Sequence, residues 1–332
     1  MRLRRHAQLV FVIAMVIVSS RLTYPGESPL KNVTVAYTSY GPFLMPFLLE
    51  KDLGFFREEG LRPEFILVRG AGLAVKGLIA ENFDYIVSAS SVMEAVIRGR
   101  QPLRVIFTAG LIHYWVLAHP TILSVTDLKG KTIGTGSLGS LSDFTMREIF
   151  RRHGLDPFRD ATLVGIGSSA DRFAALTSGV VHATFLSPPF NFKAVELGYR
   201  KLASAGDYVK LPTGGLGTRE EKILRDSQEV MKMVRASLKG LKFVLAEREY
   251  VLSRMMQMFR LSREGALQSY EALREEFVPS GYLSEEAERA AISLMKQAAK
   301  VTEEVSVGRV FDNRFVKQVE LELKGWRPQI PK

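Results

Sequence analysis

The residues best suited to holding a small molecule fall in short loops, each directly after an apolar, β-branched run. The richest is Gly134-Thr135-Gly136-Ser137-Leu138-Gly139-Ser140, set between the run that ends at Thr135 and a helical pattern that reaches Gly154. A strand, a Gly/Ser loop and a helix in that order aim free backbone N–H groups at one point, and small side chains let a ligand come close. Ser140 with Asp143, Ser91 with Glu94 and Ser168 with Asp171 fit the [ST]-x-x-[DE] capping pattern, which turns those serines toward their own helices. Ser137 and Ser90 are then the freer hydroxyls. The other loops are Thr38 to Phe43, Ser88 to Ser91 and Ser187 to Pro189. Tyr40, beside Gly41-Pro42, offers a ring to stack on a planar ligand. Arg69, just past a second strand, offers a guanidinium able to take a carboxylate or sulfonate in two places.

Catalytic patterns are scarce. The five histidines show neither H-x-x-x-H nor H-E-x-x-H spacing, so no zinc site is expected. No Ser/His/Asp order sits in a recognisable context. The glycines match neither G-x-x-x-x-G-K-[ST] nor a strand-borne G-x-G-x-x-G, and G-x-S-x-G is not satisfied. An enzyme on this scaffold would have to draw its acid or base from His113 or Asp143.

The loops must be positioned by the elements around them. The chain has 332 residues, 46% hydrophobic and 24% charged, which is enough for two cores. A net charge of +10 is spread along the chain with acidic residues interleaved, so no nucleic-acid partner is expected. Three arginines at the front, Arg2, Arg4 and Arg5, precede the apolar run Ala7 to Val18 and the small residues Ser19 and Ser20. That order reads as a signal peptide over residues 1–20, whose removal leaves +7. The absence of cysteine excludes disulfides, a lipidated N-terminus and any Cys-based site or cofactor; none is expected.

Strands are expected at 33–38, 62–68, 84–87, 103–108, 114–118, 131–135, 161–165 and 182–186, with helices at 42–53, 73–81 and 91–98 and after each later strand. From Glu220 the pattern becomes helical, including 229–247, 263–276 and 284–304. Alternating strands and helices followed by a helical tail give an α/β protein of mostly parallel sheets. Ligands in such folds sit beyond the carboxyl ends of the strands.

The segments VTVAYTSYGPFLMPFLLEKDLGFFREEGL, DYIVSASSVMEAVIRGRQPLRVI, DLKGKTIGTGSLGS, GLDP and RFAALTSGVVHATFLSPP, in this order, resemble the periplasmic substrate-binding proteins of ABC importers for nitrate, sulfonates, taurine and thiamine-pyrimidine precursors. The resemblance implies the type 2 periplasmic binding protein fold. Its two lobes would be α/β sheets crossed twice by the chain, with residues 33–117 plus 215–332 in lobe 1, 118–214 in lobe 2, and the helical tail packed on lobe 1. It places cleft contacts at Tyr40 and Gly41, at Ser88, Ser90 and Ser91, at Ser137, Gly139 and Ser140, and at Pro188 in the loop Ser187-Pro188-Pro189. Many relatives have an acidic residue before proline in that last loop, and this chain does not. Fungal pyrimidine synthases of the same fold rely on a cysteine-rich iron motif that is missing here. The implied protein is a periplasmic monomer, not a lipoprotein and not an enzyme, that closes on a small polar or anionic ligand and docks on an ABC permease. The alternatives to this reading are an enzyme on the same scaffold acting on a pyrimidine or small acid, and a ligand-sensing accessory module.

Overall fold

The computed structural model describes residues 29–38, 40–112 and 114–330, the side chains of Glu50 and Lys51 apart. The expected signal peptide and His113 lie outside the described residues.

Two five-stranded sheets organise the chain. The first holds β1 (Lys31–Tyr37), β2 (Leu61–Leu67), β3 (Tyr85–Val87), β4 (Leu103–Leu111) and β10 (Pro212–Arg219) in the order β2-β1-β3-β10-β4. The second holds β5 (Trp115–Ala118), β6 (Thr132–Thr135), β7 (Thr162–Gly165), β8 (Ala183–Leu186) and β9 (Arg200–Ser204) in the order β7-β6-β8-β5-β9. In each sheet three neighbouring strands run parallel, and the fourth position is an antiparallel strand delivered by a crossover. The α/β architecture is therefore built twice, with helices between successive parallel strands as the right-handed crossover requires. The first crossover joins β4 to β5 and the second joins β9 to β10, so 115–118 pairs in the second sheet and 212–219 in the first. Ile112, Ala205, Val209 and Leu211 at these crossings are fully buried, in one apolar cluster that continues from the first sheet to the second.

The long helix Ser227–Ala246 covers one face of the first sheet, with Phe47, Phe56, Phe107 and Phe243 fully buried between them. Ala89–Gly99 and Glu285–Ala299 cover the other face. Bridges Gly110–Phe277 and Val105–Phe311 fasten the helical tail to β4, and Arg263–Glu276 also reaches the Phe190–Glu196 helix of the second lobe.

Three expectations need correction. The 42–53 segment is not one helix but a 3-10 turn, Pro42–Leu44, and short helices Met45–Leu48 and Glu50–Leu53; Pro46 has no N–H to join the preceding turn. The 284–304 helix stops at Ala299, where Lys300 turns left-handed at φ 55°. Strands β9 and β10 were not expected. β10, Pro-Thr-Gly-Gly-Leu-Gly-Thr-Arg, lacks the β-branched run that marks a strand because the helix above leaves no room: a Cβ at Gly217 would overlap the Val92 side chain. Close backbone approach is the usual reason for glycine within a central strand.

Candidate functional site

The loops after β1, β2 and β3 face those after β6 and β7 across the gap between the sheets, and enclose a cavity of about 300 Å³. From the first lobe it is lined by Thr38, Arg69 to Ala71, Ser88, Ser90, Ser91 and Glu94. From the second it is lined by Gly136, Ser137, Ser140 to Ser142, Gly167 to Ser169, Asp171 and Arg172, with Tyr114 from the crossover.

Four helices begin at this cavity, two from each lobe: Ala71–Ile79, Ala89–Gly99, Leu141–Arg152 and Ser169–Thr177. Their first-turn N–H groups and positive dipole ends favour an anion there. At three of the four, the residue before the helix, Gly70, Ser88 or Ser140, makes no side-chain cap. The capping expectation is thus corrected for Ser140 and Ser91. Ser140 Oγ instead accepts from Ser137 N at 3.3 Å and contacts Ser142 Oγ at 3.0 Å. Ser91 lies inside its helix, its Oγ 2.6 Å from Ser88 Oγ. Only the third pattern is a capping box, with Ser168 and Asp171 bonded reciprocally.

The Gly/Ser loop is held from below. Gly136 N donates to Ser142 Oγ at 2.8 Å, Gly167 N donates to Gly136 O at 2.8 Å, and Gly139 N donates to Asp143 Oδ2 at 3.0 Å. Asp143, the described acid-base candidate, is buried and clamped by Arg147 at 3.0–3.1 Å. Its role is to shape the loop, and it does not line the cavity. The Ser90 and Ser137 hydroxyls make no hydrogen bond to described residues and remain available to a ligand.

Of the residues singled out from sequence, the cavity brings together Arg69, Ser88, Ser90, Ser91, Ser137 and Ser140. It does not gather Tyr40, Gly41, Gly139 or Pro188. Tyr40 packs on the Phe259 ring, centroids 5.1 Å apart. Gly41 meets Pro188 across the lobes, the Pro188 carbonyl oxygen lying 3.0 Å from where a Cβ on Gly41 would stand. Gly139, at φ 79°, lies against the Arg98 guanidinium on the other side. None of these four lines the cavity, and Gly41 and Pro188 close one seam between the lobes.

The charges within the cavity are unequal in kind. Arg69 is exposed, and its field helps keep the Asp171 carboxyl below the usual range, behind the larger effects of the Ser168 hydroxyl and N–H. Glu94 is pushed upward by burial, which Arg98 at 3.6 Å only partly offsets. Arg172, which the sequence reading passed over, is 5% exposed. Its Nε donates to Phe185 O at 2.8 Å and its Nη1 to Gly167 O. The sequence signal for it was the capping box at Ser168: once that fixes the helix start, residue 172 falls on the turn that faces the cavity.

A family model described as NMT1/THI5 like matches residues 42–249. The riboflavin-binding protein RibY of Chloroflexus aurantiacus is 24% identical over 319 aligned positions that cover 88% of each chain. Among solved structures, the periplasmic aliphatic sulphonate binding protein SsuA of Escherichia coli superposes with a TM-score of 0.67 at 17% identity, over 87% of this chain and 99% of that one. The periplasmic nitrate-binding protein NrtA of Synechocystis PCC 6803 superposes with a TM-score of 0.72 at 12% identity, over 91% of each.

Proposed function

Because the chain belongs to the NMT1/THI5-like family, and its fold is the two-lobed periplasmic binding protein fold, we propose that it is an extracytoplasmic solute-binding protein. In this reading it captures a small polar or anionic solute between its lobes and delivers it to an ABC permease. The observation that carries the reading is the interlobe cavity on which four helix N-termini converge, two from each sheet. A solute held there touches both lobes at once, so its binding energy favours the closed arrangement over the open one. Ser90 from one lobe and Ser137 from the other supply donors that either a sulfonate or a carboxylate accepts. The lobes of this reading are those expected from the sequence, 33–117 with 215–332 and 118–214; sheet membership, with 115–118 paired in the second sheet and 212–219 in the first, supports moving both limits a few residues toward the N-terminus. The protein acts as a monomer without a cofactor.

The test is a thermal-shift panel of nitrate, alkanesulfonates, taurine, aromatic acids, pyrimidines and riboflavin, followed by small-angle scattering with each hit. A ligand at about 100 times its Kd adds about 2.7 kcal/mol to stability. Scattering should show compaction with the ligand, and Ser137→Ala should reduce the shift without unfolding the protein. A panel with no stabilising member, or a hit that leaves the scattering curve unchanged, refutes capture by closure. The riboflavin arm is included because RibY is named for that ligand. Among the described residues, the cavity lining has one aromatic, Tyr114, against eight serines, which favours the compact anions.

A further inference from the structure

Arg172 is a buried cation that forms no ion pair among the described residues. Its side chain lies on the first turns of the Ser169–Thr177 helix, 5% exposed, with one face on the cavity. Nε and Nη1 are committed to the carbonyls of Phe185 and Gly167, and Nη2 has no acceptor among the described residues. Asp171 attracts it but, among the described residues, no carboxylate forms an ion pair with it. Asp171 is already committed to Ser168 and faces Arg69. Burying a guanidinium against carbonyls alone is costly unless a counter-charge arrives. The two carbonyl bonds lock the guanidinium plane, so its open edge presents a fixed donor rather than a mobile one.

We propose that Arg172, rather than the exposed Arg69, is the residue that selects for an oxyanion group, carboxylate or sulfonate, on the captured solute. The inference rests on the solute-binding reading and adds the chemical group that the solute must carry. An oxyanion beside Arg172 also meets the N-termini of the Leu141–Arg152 and Ser169–Thr177 helices, so three sources of positive potential converge on it. Arg69 acts differently. It lies opposite Asp171 across the cleft, and its charge is partly spent on that carboxylate.

The experiment compares wild type with Arg172→Gln, Arg172→Lys and Arg69→Ala by calorimetric titration. The probes are methanesulfonate, acetate and nitrate, the neutral analogue methanesulfonamide, and riboflavin. Wild type should bind at least one anion more tightly than its neutral analogue. Arg172→Gln should lose about 30-fold or more of that affinity, as expected for a charged hydrogen bond, while its affinity for the neutral analogue holds. Arg172→Lys should recover part of the anion affinity, and Arg69→Ala, which removes a solvent-screened charge from the cavity, should cost clearly less of it than Arg172→Gln does. The unliganded thermal midpoint of Arg172→Gln should equal or exceed that of wild type, because an unneutralised buried charge has been removed; a merely structural arginine would lower it. Equal loss for anion and neutral analogue, or binding of the neutral probes alone with Arg172→Gln unaffected, overturns the role of Arg172 and leaves the solute-binding reading standing. Failure of wild type to bind any probe overturns both.

Discussion

The seam at Gly41 gives the sharpest handle on closure. Gly41 sits at φ −176°, an extended backbone open to any residue, so a substitution there adds no backbone strain and acts through space alone. A Cβ would stand 3.0 Å from the Pro188 carbonyl oxygen on the opposite lobe, whereas a carbon–oxygen contact normally relaxes to about 3.3–3.6 Å. The lobes must therefore separate by a few tenths of an ångström along this edge, or the closed form carries the clash. Overpacking inside a core costs about 1–3 kcal/mol. A seam between two bodies can yield by rotation, which puts Gly41→Ala near the low end, about 1 kcal/mol, and Gly41→Val at about 2–3 kcal/mol. Because the clash exists only when the lobes meet, the whole effect should appear in ligand affinity: about fivefold weaker for Ala and about 30- to 150-fold weaker for Val. Titration calorimetry reads the affinities, small-angle scattering should show a more open unliganded particle, and the unliganded thermal midpoint should stay within a degree or so. If both variants bind as wild type does, or if their unliganded stability falls by as much as their binding, the seam does not govern closure.

Two further predictions concern charge. Burial raises the Glu94 carboxyl, with Arg98 on its own helix opposing, Arg69 on the same lobe's wall, and Asp171 and Arg172 on the wall opposite. A carboxyl raised on folding stabilises the fold below its unfolded value of 4.5 and loses that contribution as pH climbs through the raised value. Glu94→Gln should thus melt higher than wild type near neutral pH, the gap closing below pH 4.5. It should also bind an anion about two- to tenfold more tightly at neutral pH, since a partly screened like charge has left the cavity; unchanged pH profiles in both assays would sink this account. At the far end of the first sheet, Lys222 Nζ lies 2.6 Å from the buried Glu229 and 2.9 Å from Asp84. Lys222→Met should cost about 3 kcal/mol in urea unfolding at pH 7, because it strips a buried carboxylate of one partner. Burial alone would raise Asp84, but the Thr34 N–H and Lys222 outweigh it and the net shift is downward. Its stabilising share is present above pH 3.8 and lost below, so the mutational cost should shrink in acid. A cost that is the same at pH 3 would contradict this.

Most of the architecture was legible because most of β1 to β8 are apolar or β-branched runs, as in Val33-Thr34-Val35 of β1 and Val105-Ile106-Phe107 of β4. β10 was not, since its glycines answer to Val92 and Phe107 on neighbouring elements, contacts that no local pattern contains. β9 was not, since an edge strand beginning Arg200-Lys201 has an exposed face and reads as polar chain. At the site, the serines were visible as strand-end loops, whereas Arg172 looked like any charged residue on a helix. Only the packing of its helix against β8, which supplies the Phe185 carbonyl, reveals that it is buried. Gly41 and Pro188 were picked out as contacts to a ligand; in the structure they contact each other.

The insertion of β10 between β3 and β4 also fixes an order of events. A chain that has emerged only as far as β9 holds every strand of the second sheet but leaves the first split in two, with exposed edges on β3 and β4. The second lobe, contiguous in sequence, can collapse on its own early, while the first must wait for a segment about a hundred residues beyond β4, a long-range closure that slows folding. Truncation before residue 212 should therefore yield an aggregation-prone chain rather than a half-protein. That delay keeps the first lobe's edges on β3 and β4 unpaired for longer after those strands have been made, and they stay open until residue 212 arrives.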